Sequence, residues 1–75
     1  MIEDYYQGFD SSLRKFEEML KTKLTYFFDA QEIEYIVQNY IDFGKINLAK
    51  KAVKIGNKQH PKNINILLLK SEIFI

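Results

Sequence analysis

The sequence predicts an all-α protein of about four helices, and three observations carry that expectation. Apolar residues recur at spacings of three and four along most of the chain, the stripe of a 3.6-residue helix, and the strict alternation of a strand is absent. Short capping side chains stand ahead of these stripes. Gly44 and the single proline, Pro61, fall between them. Composition agrees with a packed domain: 75 residues, 47% hydrophobic and 28% charged, with six Phe and five Tyr.

Taken in order, Phe9, Leu13, Phe16, Leu20 and Leu24 form the first stripe, and Asp10 or Ser11 is placed to cap its start. Thr25-Tyr26-Phe27-Phe28 breaks the pattern and reads as a connector whose rings pack under neighbouring helices. Asp29-Ala30-Gln31-Glu32 has the form of a capping box, opening a second helix with Ile33, Ile36, Val37, Tyr40 and Ile41 on one face. Gly44 ends it, since glycine takes the left-handed conformation without a Cβ clash. Asn47 is the expected cap of a third helix bearing Leu48, Ala49, Ala52, Val53 and Gly56. Gly56 inside that helix costs about 1 kcal/mol relative to alanine, which makes sense where another helix crosses closely. Pro61 lacks an amide and drives His60 out of the helical region, closing the third helix. A fourth, over 64–75, carries Leu67, Leu68, Ser71, Phe74 and Ile75.

The second and third helices, joined around Gly44, make an αα-hairpin. Counted from Ala30, the hairpin resembles one tetratricopeptide repeat, a helix-turn-helix unit of 34 residues. Ile33, Ile36 and Tyr40 take the signature apolar places of its first helix, Ala49 the small place of its second, and Pro61 the terminal proline. Ile33 stands where the family usually has tryptophan, and Val53 where it usually has an aromatic residue. A second frame beginning at Ile64 puts Leu67, Ser71 and Phe74 in the matching places of a further first helix. The resemblance implies a fragment of a right-handed α-solenoid. Residues 1–29 would be an N-terminal capping helix, 30–63 a full repeat, and 64–75 the first helix of a truncated one.

Such units bury their apolar faces only against stacked neighbours. With no cysteine there is no disulfide framework to replace that support. The chain is therefore expected to belong to a longer repeat array or to dimerise, with Leu67, Leu68, Phe74 and Ile75 as the self-association residues. The net charge of +1 hides a split. Residues 1–42 hold nine acids and four bases, a balance of −5; residues 43–75 hold seven lysines and one acid, a balance of +6. Two such halves attract a second copy or compensate internally. The acidic start is unlike a secretory signal, and the most apolar run, 64–75, falls short of the ~20 residues of a membrane span. A cytoplasmic protein is expected.

Enzyme chemistry finds no constellation. His60 is the lone histidine and reads as a loop residue; Ser11, Ser12 and Ser71 lack a nucleophile motif; Glu17 and Glu18 point about 100° apart on a helix. No metal site and no cofactor are expected. The tetratricopeptide resemblance implies protein–protein interaction or scaffolding, a partner peptide lying across the first helices. Glu34, Gln38 and Ile41 are the inner-face candidates on the second helix. Glu34 opposes an acidic tail, so a neutral or basic peptide is the expected ligand. The alternative is a small nucleic-acid-binding regulator using Lys50, Lys51, Lys54 and Lys58 of the third helix, but nucleic acid is not the expected partner: the chain is near neutral, has one arginine and is expected to have no interleaved aromatic residue on that stripe, which reads first as solvated helix surface. Tyr5, Tyr6, Tyr26, Phe27, Phe28, Tyr35 and Phe43 are expected to pack rather than to form a recognition platform.

Overall fold

The computed structural model describes the backbone of residues 2–74 and the side chains of residues 11–74. The protein is all-helical, with α1 (Ile2–Leu20), α2 (Ala30–Asp42), α3 (Ile46–Gln59) and α4 (Ile64–Ile73), and no strand among the described residues. α2 packs on α3 and α3 on α4, while α1 and α4 each also lean on α2. The side chains of Tyr5, Tyr6, Phe9 and Asp10, and Ile75 altogether, lie outside the described residues.

α1 starts well before the cap expected at Asp10 or Ser11. The reason is visible in the sequence: Ile2, Tyr5, Phe9 and Leu13 continue the three-and-four spacing backwards, so Asp10 and Ser11 fall within the helical segment and not at its start. At the other end Leu24 does not extend the stripe; it lies beyond the helix and is 68% exposed. Thr22 makes the stop. Its hydroxyl donates to the Met19 carbonyl (3.0 Å) and accepts from the Leu24 amide (3.1 Å), competing with helical bonding.

α2 begins as its sequence indicates, with the Asp29 amide donating to Glu32 Oε1 at 2.9 Å. It ends at Gly44, whose φ of 73° is the left-handed conformation that glycine adopts freely. The Gly44 amide donates to the Ile41 carbonyl (3.0 Å) and the Lys45 amide to the Tyr40 carbonyl (2.8 Å), the paired bonds of a Schellman turn. This turn returns the chain to a helical course at once, so Lys45 holds the cap position of α3 and Asn47 lies inside the helix instead of capping it. α4 is capped by Asn63, whose Oδ1 accepts from the Ile66 amide at 3.0 Å.

The core joins all four helices and the connector: Phe16 and Met19 of α1, Phe28, then Ile33, Ile36, Val37 and Tyr40 of α2, Ala49, Ala52 and Val53 of α3, and Ile66 of α4. The Phe16 ring sits 5.9 Å from both Phe28 and Tyr40, tilted by 58° and 56°, the inclined geometry aromatic quadrupoles favour. Tyr40 is buried and donates its hydroxyl to Glu17 at 3.1 Å. Burial, reinforced by the hydrogen bond to Glu17 and that carboxylate's charge, pushes the phenol up to about 12. The close crossing expected at Gly56 is present. A Cβ there would run into the buried Ile33 side chain, closer than real Cβ atoms approach, so α2 and α3 meet where only glycine fits.

Polar ties fix α1 and the connector. Ser12, 3% exposed, donates to Glu32 Oε2 at 2.7 Å. Burial alone would raise the Glu32 carboxyl; the Ser12 hydroxyl, the Asp29 amide and the Lys15 charge outweigh it and hold the group below its ordinary value. Residues 26–28 are held by the last turn of α3. Gln59 Oε1 accepts from the Phe28 amide (2.9 Å) and its Nε2 donates to the Tyr26 carbonyl (2.7 Å). His60 Nε2 lies 2.7 Å from the Phe28 carbonyl; a carbonyl only accepts, so this nitrogen carries the proton. Lys15 donates to the Phe27 carbonyl. His60 is thus a structural clasp rather than a loop residue without a partner. Of the connector rings Phe28 is buried and Tyr26 partly so, whereas Phe27 and, on the α2–α3 turn, Phe43 are 60% and 72% exposed.

Candidate functional site

α4 decides where the surface features lie. Six of its ten residues (Ile64, Ile66, Leu67, Leu68, Leu69 and Ile73) are large and apolar, and they are spread around the helix rather than gathered on one side. Ile66 enters the core, Leu69 and Ile73 pack against it, and Ile64, Leu67 and Leu68 remain exposed. A helix apolar on all sides is one that neighbours cover on more than one side.

Beside α4, on the α2 side, runs a groove of about 410 Å³, within the size range of ligand sites. Glu34 and Gln38 of α2 face Asn65, Leu68 and Glu72 of α4 across it, with Tyr35 and Leu69 completing the lining. Glu34 and Gln38 are one helical turn apart, which puts both on the same edge. Gln38 Nε2 donates to Asp42 Oδ1 at 2.9 Å, so a third carboxylate stands just beyond the groove. No base is among the lining residues. The result is an apolar strip of leucine and tyrosine between carboxylate-bearing edges. Such a strip offers an acceptor to every N–H or ammonium group brought near it and a dry surface to one apolar side chain.

The residues expected from sequence are partly gathered here. Glu34 and Gln38 line the groove, together with Leu68 from the self-association set. Ile41 is not among them; it is partly buried and packs against the core. Leu67 is 40% exposed outside the groove, and Phe74 lies on the opposite side of α4, beside α3. Asn65 and Glu72 were not legible as site residues, since their roles depend on how α4 is rotated, and the stripe read from its sequence leaves out Ile66, the residue that turns inward.

The other side of α4 forms a second cleft, of about 390 Å³, with α3. Lys51, Lys54 and Lys58 of the expected lysine stripe line it, joined by Lys70 of α4. An aromatic ring does meet that stripe: Lys50 and Lys54 lie 5.4 and 5.3 Å from the centroid of Phe74. The sequence hid this contact, because Phe74 is twenty residues from Lys54 and reaches it only through the packing of α4 on α3.

Among the described residues no three His, Cys, Asp or Glu side chains come together as metal ligands, and no helix is long and apolar enough to cross a membrane. No known family model, curated protein or solved structure matches the chain.

Proposed function

We propose that the protein is an interaction module that receives a segment of a partner protein in the α2/α4 groove, without catalysis. The observation that carries this reading is the lining itself: Glu34 and Gln38 from α2 and Leu68 and Glu72 from α4, which are far apart in sequence, border one groove. The tetratricopeptide resemblance supports it from another direction, because in frames starting at Ala30 and Ile64 both α2 and α4 are first helices, the ones that line the binding surface in that family. The partner segment is short, carries one apolar side chain for the Leu68–Leu69 strip, and bears Lys or Arg on either side to meet Glu34 and Glu72. Electrostatic complementarity of this kind selects the partner more than it adds affinity. A cytoplasmic setting belongs to the same proposal.

Short labelled peptides with a central leucine flanked by lysine, by serine or by glutamate test it, read by fluorescence polarisation. The lysine-flanked peptide is expected to bind most tightly. The paired reversal E34K/E72K should weaken it by about tenfold, from rim charges each contributing about 0.2–1 kcal/mol. Equal binding of all three peptides, or none by any, overturns the proposal. So does sedimentation showing that a second copy fills the groove and that the lysine peptide does not displace it.

A further inference from the structure

The α3/α4 cleft is chemically the reverse of the groove just described. Lys51, Lys54 and Lys58 stand at i, i+3 and i+7 on one face of α3, and Lys70 faces them from α4. No ion pair joins any of these four to a carboxylate among the described residues. Like charges gathered this way repel one another, and an anion relieves the repulsion. Lysine ammoniums are compact, strongly hydrated point charges suited to phosphate oxygens.

An aromatic ring beside the lysines narrows the anion. Lys54 belongs to the cleft and also lies 5.3 Å from the Phe74 ring, with Lys50 at 5.4 Å, so the cleft runs directly into an aromatic surface. Phe74 keeps 39% of its surface in solvent even so. Phosphate-binding lysines beside an exposed ring are the parts from which single-strand binding surfaces are made.

We propose that the α3/α4 face binds single-stranded nucleic acid, with the phosphodiester backbone along Lys51, Lys54, Lys58 and Lys70 and one base stacked on Phe74. From Lys51 to Lys58 the ridge spans about 10 Å of helix, at 1.5 Å per residue. That is room for two or three nucleotides of a single strand. A base stacked on Phe74 must be unpaired, which excludes a duplex as the preferred ligand.

The test uses the full chain with labelled oligothymidine and oligouridine, read by fluorescence anisotropy between low and physiological salt. Binding is expected with a log–log salt slope of about −2, two or three phosphate contacts at about 0.7 each. K58A should weaken binding and make the slope shallower by about 0.7. F74L should weaken oligothymidine by about tenfold through lost stacking while leaving heparin, which has no bases, unchanged. Circular dichroism of each variant confirms that the fold is retained. The proposal is overturned by the absence of binding at low salt, by duplex DNA binding as tightly as the single strand, or by F74L leaving oligothymidine affinity intact. Heparin binding as tightly as the oligonucleotides and weakening equally in F74L also overturns it.

Discussion

The two clefts beside α4 share one wall and differ in almost everything else. On the α2 side the edges carry Glu34 and Glu72 around leucine and tyrosine; on the α3 side Lys51, Lys54, Lys58 and Lys70 surround a cleft that reaches Phe74. α4 itself contributes one residue of each sign, Glu72 to the first and Lys70 to the second, so the contrast comes mainly from its neighbours. α2 lies in the acidic half of the chain and α3 in the basic half. Among the described residues no ion pair links the two halves. Glu34 of α2 and Lys51, Lys54 and Lys58 of α3 stand on opposite flanks of α4.

The strongest way to break the contrast is to loosen α4. Ile66 is fully buried and anchors it to the core. I66A is expected to cost about 3 kcal/mol and to lower the thermal midpoint by about 15 °C, abolishing both clefts together in binding assays. If one ligand still bound with full affinity, α4 would not be the shared wall.

Next in size is the spacing of α2 and α3. G56A replaces glycine with a residue about 1 kcal/mol better in a helix, yet it should destabilise by about 1–3 kcal/mol because the new methyl meets Ile33. G56L should be worse. A urea midpoint that rises in G56A would show that the crossing yields more easily than its geometry indicates.

A smaller effect separates the α1 side from the clefts. The Glu32 carboxyl is held below its ordinary value, so its contribution is present above the unfolded value of 4.5 and is lost as pH falls through the lower folded value. Thermal midpoints measured from pH 6 down to pH 3 should fall less steeply in E32Q than in the parent. Equal slopes would place the acid sensitivity elsewhere. The smallest stability effects belong to the cleft charges themselves. E34K and K58E are expected to shift stability by no more than about 0.5 kcal/mol while changing binding at one face each, which divides the two surfaces cleanly.

Much of this architecture is legible locally. The Asp29–Glu32 start, the glycine turn at 44, the exit at His60–Pro61 and the close crossing at Gly56 are all short-range signals, and each has the role its chemistry indicates. Local signals also misled where a capping-type residue fell inside a continuous helix, at Ser11 and Asn47, or where a leucine fell beyond a threonine stop, at Leu24. What could not be read depends on tertiary placement. The face expected for α4, with Leu67, Leu68, Ser71 and Phe74, is not the inward one: Ile66 is buried while Leu67 and Leu68 stay exposed, because apolar residues are spread around this helix and spacing alone picks the wrong side. Half of the candidate groove was visible as Glu34 and Gln38; the α4 half, and the meeting of Phe74 with Lys50 and Lys54, required the packing.

The clasp formed by Gln59 and His60 has a consequence for the order of assembly. The backbone of residues 26–28 finds its partners on the last turn of α3, more than thirty residues away. Those partners exist only once α3 has formed, whereas the α2–α3 hairpin closes over a three-residue turn. The hairpin is therefore expected to form first and α1 to dock afterwards, and α1 is expected to be the first part to open in the folded protein. Its amides should exchange with solvent at a lower free energy than those of Ala52 and Val53 in the middle of α3.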